Sequence, residues 1–410
     1  MKLAVARVFG GNENSRQWDD FALVAVIALY VALTVFGIMH LFEFMGADFM
    51  AYWSAGYIAN HETFVKIYDF SALERTQHLM LFGEFRPNVY FPSLPMAYLP
   101  VFVLPFRLLA LLPPKVSFWV WTLLNFSLGV GYLVFLAGRY HHPYKKYFLF
   151  LFVLSFPFYQ TLFWGQVNIW LLVFAGEFLR SLQKGSEFRA GLWLSALLLK
   201  PQTLLVMVPA LVAARRFKAL LGFAIGAGAL GFASFAVAGQ EGFRGLMHLW
   251  LDYSHNLATS GVQGMTNWRM VAKILDHNLP SPIWGYLAIG LSLLTIAWGI
   301  FLWMRLHNTH VALAVLAVFS ATMLATWHAH AHMAVILIPS LLLLLLRNEF
   351  PQRLFRLWLF LPPALYLLGL MALVFIQNRF YAGILYGVAQ FVLNLVLLVW
   401  VTRKTLGFEE

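Results

Sequence analysis

Apolar and polar positions alternate along this chain in long blocks. Apolar runs fall at 21–42, 89–112, 117–137, 147–163, 167–180, 190–213, 219–239, 283–304, 310–327, 333–346, 356–376 and 381–402. Many approach the roughly 20 residues that a helix needs to cross a hydrocarbon layer. Backbone groups in lipid must bond within their own segment. The pattern therefore predicts an all-α polytopic bundle of about twelve membrane segments, in a range of about ten to thirteen. A transmembrane β-barrel would alternate polar and apolar residues over about ten positions, and this chain does not. Two longer polar stretches, 43–88 and 240–282, interrupt the runs. No internal repeat or flexible linker divides the chain, so residues 1–410 read as one membrane domain with those stretches as its two large extracytoplasmic loops. Within the first loop, 49–60 and 71–82 each predict a short amphipathic helix lying in the interface. Their apolar faces would be Tyr52, Trp53 and Tyr57 in one, and Leu79, Met80 and Phe82 in the other.

Composition narrows the class further. Of 410 residues, 61% are hydrophobic and 11% are charged, against about 25% charged in soluble domains. A soluble globular protein is excluded. The formal charge of +11 does not indicate nucleic acid, because much of it sits in short clusters beside apolar runs, where loops meet anionic lipid or hold helix orientation. The absence of cysteine rules out disulfides and thiol chemistry. The first apolar run is longer than a signal-peptide core and no small-residue cleavage site follows it, so no cleavable signal is expected.

The basic stretches Arg215-Arg216-Phe217-Lys218, 347–356 and Arg403-Lys404 should face the cytoplasm. Counting back from them puts 43–88, 240–282 and the histidines at 328–332 together on the far side. The middle of the chain fits less well. Twelve full spans would place 139–146 and 180–189, both basic, outside. An alternative makes two segments re-entrant. The run 89–112 carries Pro92, Pro95, Pro100 and Pro105, and 190–213 is broken by Lys200-Pro201. The basic loops then move inside, and Gly165-Gln166-Val167-Asn168 and Lys200 join Asp48.

Asp48 is the leading candidate for chemistry. It sits just past the first apolar run, where a carboxylate can act on a lipid-borne substrate and where partial desolvation raises its pKa toward that of a general base. It can also be read as a helix cap. Glu43 and Asp69 are nearby acids that could compete for the role, and Tyr52 lies one helical turn on. Lys200 is a charge within an apolar run, which marks function unless it snorkels to the interface. An anionic lipid phosphate would be its natural partner. His328, His330 and His332 alternate with alanines. His328 and His332 share a helical face, which admits a divalent metal. With no HExxH glutamate and no cysteine, hydrogen bonding to phosphate or sugar is favoured and no cofactor is expected. A purely structural cluster is the third reading. Gln166 and Asn168 offer amides suited to sugar hydroxyls, or are ordinary turn residues. In Gln263-Gly264-Met265-Thr266-Asn267-Trp268-Arg269, Arg269 could clamp a phosphate and Trp268 could stack on a sugar, or the pair could anchor at the interface.

In this order the motifs resemble glycosyltransferase family 87, a GT-C-type membrane family that includes polyprenyl-phosphate-mannose-dependent α-mannosyltransferases. The pieces are Asp48-Phe49-x-x-Tyr52-x-x-Ala55-Gly56, Ile67-Tyr68-Asp69, Tyr90-Phe91-Pro92-Ser93-Leu94-Pro95, Gly165-Gln166-Val167-Asn168, Lys200-Pro201, Gln263-Gly264 with Arg269, and Thr326-Trp327-His328. Two departures stand out: Phe-Pro-Ser in place of Tyr-Pro-Pro, and histidines spread over alternate positions. The resemblance implies an inverting transfer of a hexose, mannose foremost, from a polyprenyl-phosphate sugar to a hydroxyl of a lipid or glycan acceptor. It would occur on the outer face of a bacterial plasma membrane. Asp48 would be the base. Lys200, Arg269 and the histidines 328, 330 and 332 would meet the donor phosphate. Tyr52, Asp69, Gln166, Asn168, Gln263 and Trp268 would contact sugar or acceptor. The competing reading is a transporter or flippase, which proline-broken segments and an intramembrane lysine also suit. A metal-dependent membrane hydrolase would rest on the histidines alone.

Overall fold

The computed structural model describes residues 13–86, 94–255, 261–377 and 379–407. The Tyr90 to Ser93 part of the proline-rich tract lies outside them. Among the described residues no β-strand forms, and the only extended pairings are two isolated bridges.

The helices run in chain order as α1 (Glu13–Met39), α2 (Ala47–His61), α3 (Phe70–Phe82), α4 (Leu104–Leu109), α5 (Pro114–Ala137), α6 (Lys145–Val153), α7 (Phe156–Phe163), α8 (Asn168–Gln183), α9 (Glu187–Ala196) and α10 (Met207–Ala213). The second half holds α11 (Phe217–His255), α12 (Trp268–Asn278), α13 (Ile283–Leu306), α14 (Val311–Ala325), α15 (Ile338–Leu346), α16 (Gln352–Ile376) and α17 (Arg379–Leu406). Six of these, α1, α5, α11, α13, α16 and α17, contain a stretch long and apolar enough to cross a membrane. The pair α6 and α7, bent by 43°, makes a seventh if counted as one span. The chain is a polytopic helical membrane protein.

Twelve full spans are not what the apolar runs become. α14 is apolar because protein surrounds it: every residue from Ala312 to Ala325 is buried. The run after it forms a 3-10 turn, Ala331–Leu337, followed by α15, and both are buried throughout. An apolar run reports burial, and cannot by itself say whether lipid or protein does the burying.

The two proline-marked runs are not plain spans either. In 190–213, α9 gives way to a 3-10 turn, then Lys200, then a second 3-10 turn at Pro201–Leu204, then α10. Arg216 pairs with Glu187, so the chain returns to the end it left. α9 and the start of α11 pack side by side in the same direction. A side chain at Gly191 would strike the Ala219 carbonyl, and one at Gly222 the Phe188 carbonyl. The described part of 89–112 stays at one end of the bundle. It forms a 3-10 turn, Pro100–Val103, and the six-residue α4, which packs on α2 through Gly56 and Phe106.

The first-loop helices form but bury other faces than their patterns suggest. α2 is enclosed on nearly every side, from Phe49 to Ala59, and so lacks an amphipathic division. α3 turns Ala72, Leu73, Thr76, Gln77 and His78 inward, while Leu79 is 44% exposed. Gln77 can be buried because its amide both donates to the Leu94 carbonyl and accepts from the Leu94 N–H.

Candidate functional site

Two turns bring the central side chains together. α7 ends in a loop closed by Gly165 N–H to Leu162 O and Gln166 N–H to Thr161 O. Gly165 takes φ 71° there, a left-handed conformation that glycine adopts without a Cβ penalty. The start of α2 docks onto this loop, with Gly46 N–H donating to Phe163 O at 2.8 Å and Phe49 N–H to Trp164 O at 3.2 Å. Asp48 lies between these two anchors. Gly46 is the N-cap residue of α2 and makes no side-chain cap, so Asp48 is not capping the helix.

Gln166 is the hub. Its Nε2 donates to Asp48 Oδ2 at 2.6 Å. Its Oε1 accepts from Tyr52 Oη at 2.7 Å and from Lys200 Nζ at 2.9 Å. Tyr52 Oη also meets Tyr98 Oη at 3.2 Å. Lys200 precedes a proline, which holds it extended (φ −135°, ψ 85°) at the break between the two 3-10 turns. The residue is 4% exposed. Burial raises the Asp48 pKa above the ordinary carboxylate range, opposed by the Gln166 hydrogen bond and the Lys200 charge.

These groups line a cavity of about 1080 Å³. His328, His330 and His332 line it too. Their rings are spaced 4.9 Å (328 to 330) and 5.7 Å (330 to 332) between centroids. His330 is held by an antiparallel bridge to Met265 and by its Nδ1 at 3.2 Å from Gly264 O. Burial pushes His328 and His332 below the usual histidine range, helped by their histidine neighbours and by the Lys200 charge. They are neutral near pH 7, each with one ring N–H to give. Among the described residues no group of three or more histidines, cysteines or acids is arranged to hold a metal ion. A further part of the wall is apolar: Gly369, Leu370 and Leu373 of α16, with Gly383 of α17.

The cavity thus collects Asp48, Tyr52, Gln166, Lys200, Gln263 and the three histidines. Of the other candidates, Asp69, Asn168, Trp268 and Arg269 are not among the residues that line it. Asp69 caps α3, accepting from the Ser71 N–H and hydroxyl, because an acid just before a helix satisfies its free N–H groups. Asn168 begins α8 and is fully buried behind the cavity wall. Trp268 Nε1 donates to Thr295 Oγ1, and its ring meets Phe391 edge-on. Arg269 lies one layer back, its guanidinium 4.4 Å over the Trp327 ring and donating to Trp327 O. Trp327 itself lines the cavity. Glu43 reaches the cavity, but its side chain is 67% exposed and faces His40. Tyr98, Trp164 and Tyr386 are lining residues that the sequence analysis did not single out. Trp164 and Tyr386 converge on Gln160 Oε1. Only Trp164, next to Gly165-Gln166, carries a sequence hint.

A model of glycosyltransferase family 87 matches residues 97–327. The match takes in Gln166, Lys200 and Gln263; the histidines lie just past its end, and Asp48 and Tyr52 lie more than 40 positions before its start. No curated protein and no solved structure matches the chain.

Proposed function

The chain belongs to glycosyltransferase family 87, and we propose that it transfers a hexose from a polyprenyl-phosphate sugar to a hydroxyl of a lipid or glycan acceptor, with inversion, on the extracytoplasmic face. The observation that carries this reading is one cavity holding a half-buried carboxylate, Asp48, and a buried cation, Lys200, joined through the Gln166 amide.

A single displacement needs a base on one side of the anomeric carbon and charge stabilisation on the other. The acceptor oxygen attacks, Asp48 takes its proton, and the carbon–oxygen bond to phosphate breaks, its electron pair leaving with the polyprenyl phosphate. Gln166 occupies Asp48 Oδ2, which leaves Oδ1 for the acceptor. Lys200 has three N–H donors and gives one to Gln166. The others, with the ring N–H groups of the histidines, would meet the departing phosphate, where negative charge grows. The apolar wall from α16 and α17 suits a lipid-linked substrate. Gln263 is placed to contact sugar or acceptor, and Arg269 would act behind Trp327, by positioning it.

The reading is tested by incubating purified protein with radiolabelled polyprenyl-phosphate sugars, mannose first. Release of polyprenyl phosphate, lost in Asp48→Asn, is expected. No release from any donor in the presence of varied lipid and glycan acceptors would overturn it.

A further inference from the structure

We propose that Gln166 is a positioning residue: Lys200 and Tyr52 set the orientation of its amide, and the amide in turn holds one oxygen of Asp48 and turns the other to the cavity. The proposal rests on reading Asp48 as the base.

An amide can present either end, and only its partners decide which. Here they leave one choice. An ammonium has donors and no acceptor, and an ionised carboxylate has acceptors and no donor. Lys200 Nζ at 2.9 Å therefore requires Oε1 to face it, and Nε2 then faces Asp48 at 2.6 Å. Turned over, the amide would aim N–H groups at the ammonium and a carbonyl at the carboxylate, both repulsive and both away from bulk water. Tyr52 reinforces the same choice by donating to Oε1 at 2.7 Å, and its own oxygen stays available to Tyr98. Asp48 and Tyr52 are one turn apart on α2, so the helix grips both ends of the amide while Lys200 comes from the tip of the α9–α10 excursion. The Gly165 turn fixes the Gln166 backbone. Lys200 and Asp48 form no ion pair of their own within 4.0 Å among the described residues, so the hydrogen-bonded link between them runs through Gln166, beside a longer-range charge effect of Lys200 on the carboxylate. The other ionisable groups that line the cavity with the carboxylate are Tyr98, Tyr366 and Tyr386, the exposed Glu43, and the three histidines.

The test is an infrared pH titration of the Asp48 carboxyl in the full chain, the band being assigned by its loss in Asp48→Asn. Gln166→Met removes the hydrogen bond to the ionised form and should raise the titration midpoint by about one pH unit. Lys200→Met should raise it as well, by removing a nearby charge and by releasing the amide orientation, so its shift should be clearly smaller in the Gln166→Met background, where only the charge effect remains. Lys200→Arg, which also only donates, should restore a near-normal midpoint. Gln166→Leu also removes the donor to Asp48 and adds no charge beside it. It should raise the midpoint too, which covers the case of Gln166→Met failing to fold. An equal Lys200→Met shift with and without Gln166 would mean that the lysine acts directly through space, and an unmoved midpoint in both Gln166 variants would mean that the amide does not hold the carboxylate. Either result overturns the proposal. The titration uses no sugar donor, so a protein that transfers nothing would sink the transferase reading and leave this inference to be decided by the same spectra.

Discussion

Glu187 and Arg216 form an ion pair although 29 positions separate them. That pair closes the base of the α9–α10 excursion, whose tip carries Lys200. A lysine at the end of a segment that goes in and comes back can reach a cavity that a straight span would pass by. The side-by-side packing of α9 on α11 holds this excursion upright.

Gly191→Ala should therefore weaken the fold and the site together. An added Cβ would lie 1.9 Å from the Ala219 carbonyl oxygen, and backbone on both sides leaves little room to yield. A loss of about 1–3 kcal/mol is expected. Thermal unfolding of purified protein reads it, and an unchanged melting temperature would show that the two helices can separate freely.

Asp48→Asn should lower transfer by at least about a hundredfold with the protein still folded, since it keeps shape and hydrogen bonding but cannot take a proton. Asp69→Asn should leave activity and stability nearly unchanged, because asparagine caps a helix about as well as aspartate. Steady-state rates of the two variants, compared at equal folded concentration, check both. Comparable rates would move the base elsewhere.

The acid limb of the rate profile should sit higher than an unperturbed carboxylate would place it. Burial raises the Asp48 pKa, so its ionised, proton-accepting form is lost earlier as pH falls. Activity should be complete well above the raised pKa and decline through it. A profile of kcat/KM against pH measures this, with Glu43→Gln as control, and a limb at the ordinary aspartate value of about 4 would contradict it.

Glu43→Cys and Lys184→Cys should label from opposite sides of the membrane in this cysteine-free chain. Glu43 stands at the cavity mouth. Lys184 follows α8, whose 16 residues carry it about 24 Å from the Gln166 turn. By the positive-inside rule, the end that carries Arg180, Lys184 and Arg189 is expected to face the cytoplasm. An impermeant thiol reagent on intact cells should reach the first and not the second. Labelling of both from outside would reverse the assignment of the basic end.

Length and spacing of apolar runs were enough to identify a helical membrane protein, because lipid leaves the backbone no other economy of hydrogen bonds than helix or closed barrel. The sequence also isolated Asp48, Lys200 and the histidines, since charges and imidazoles beside or within apolar runs are costly and so conspicuous. What it could not determine was who meets whom. Whether α14 faces lipid or protein, and whether Asp69 caps a helix or faces a substrate, depend on neighbours far along the chain. Gln166 reads as a sugar ligand by residue type, and only the fold shows that its amide also joins Asp48, Tyr52 and Lys200. Hydrogen-bond partners separated by 34 to 118 positions leave no local periodicity. Only the packing of the Gly165 turn against α2 and the Lys200 tip decides them.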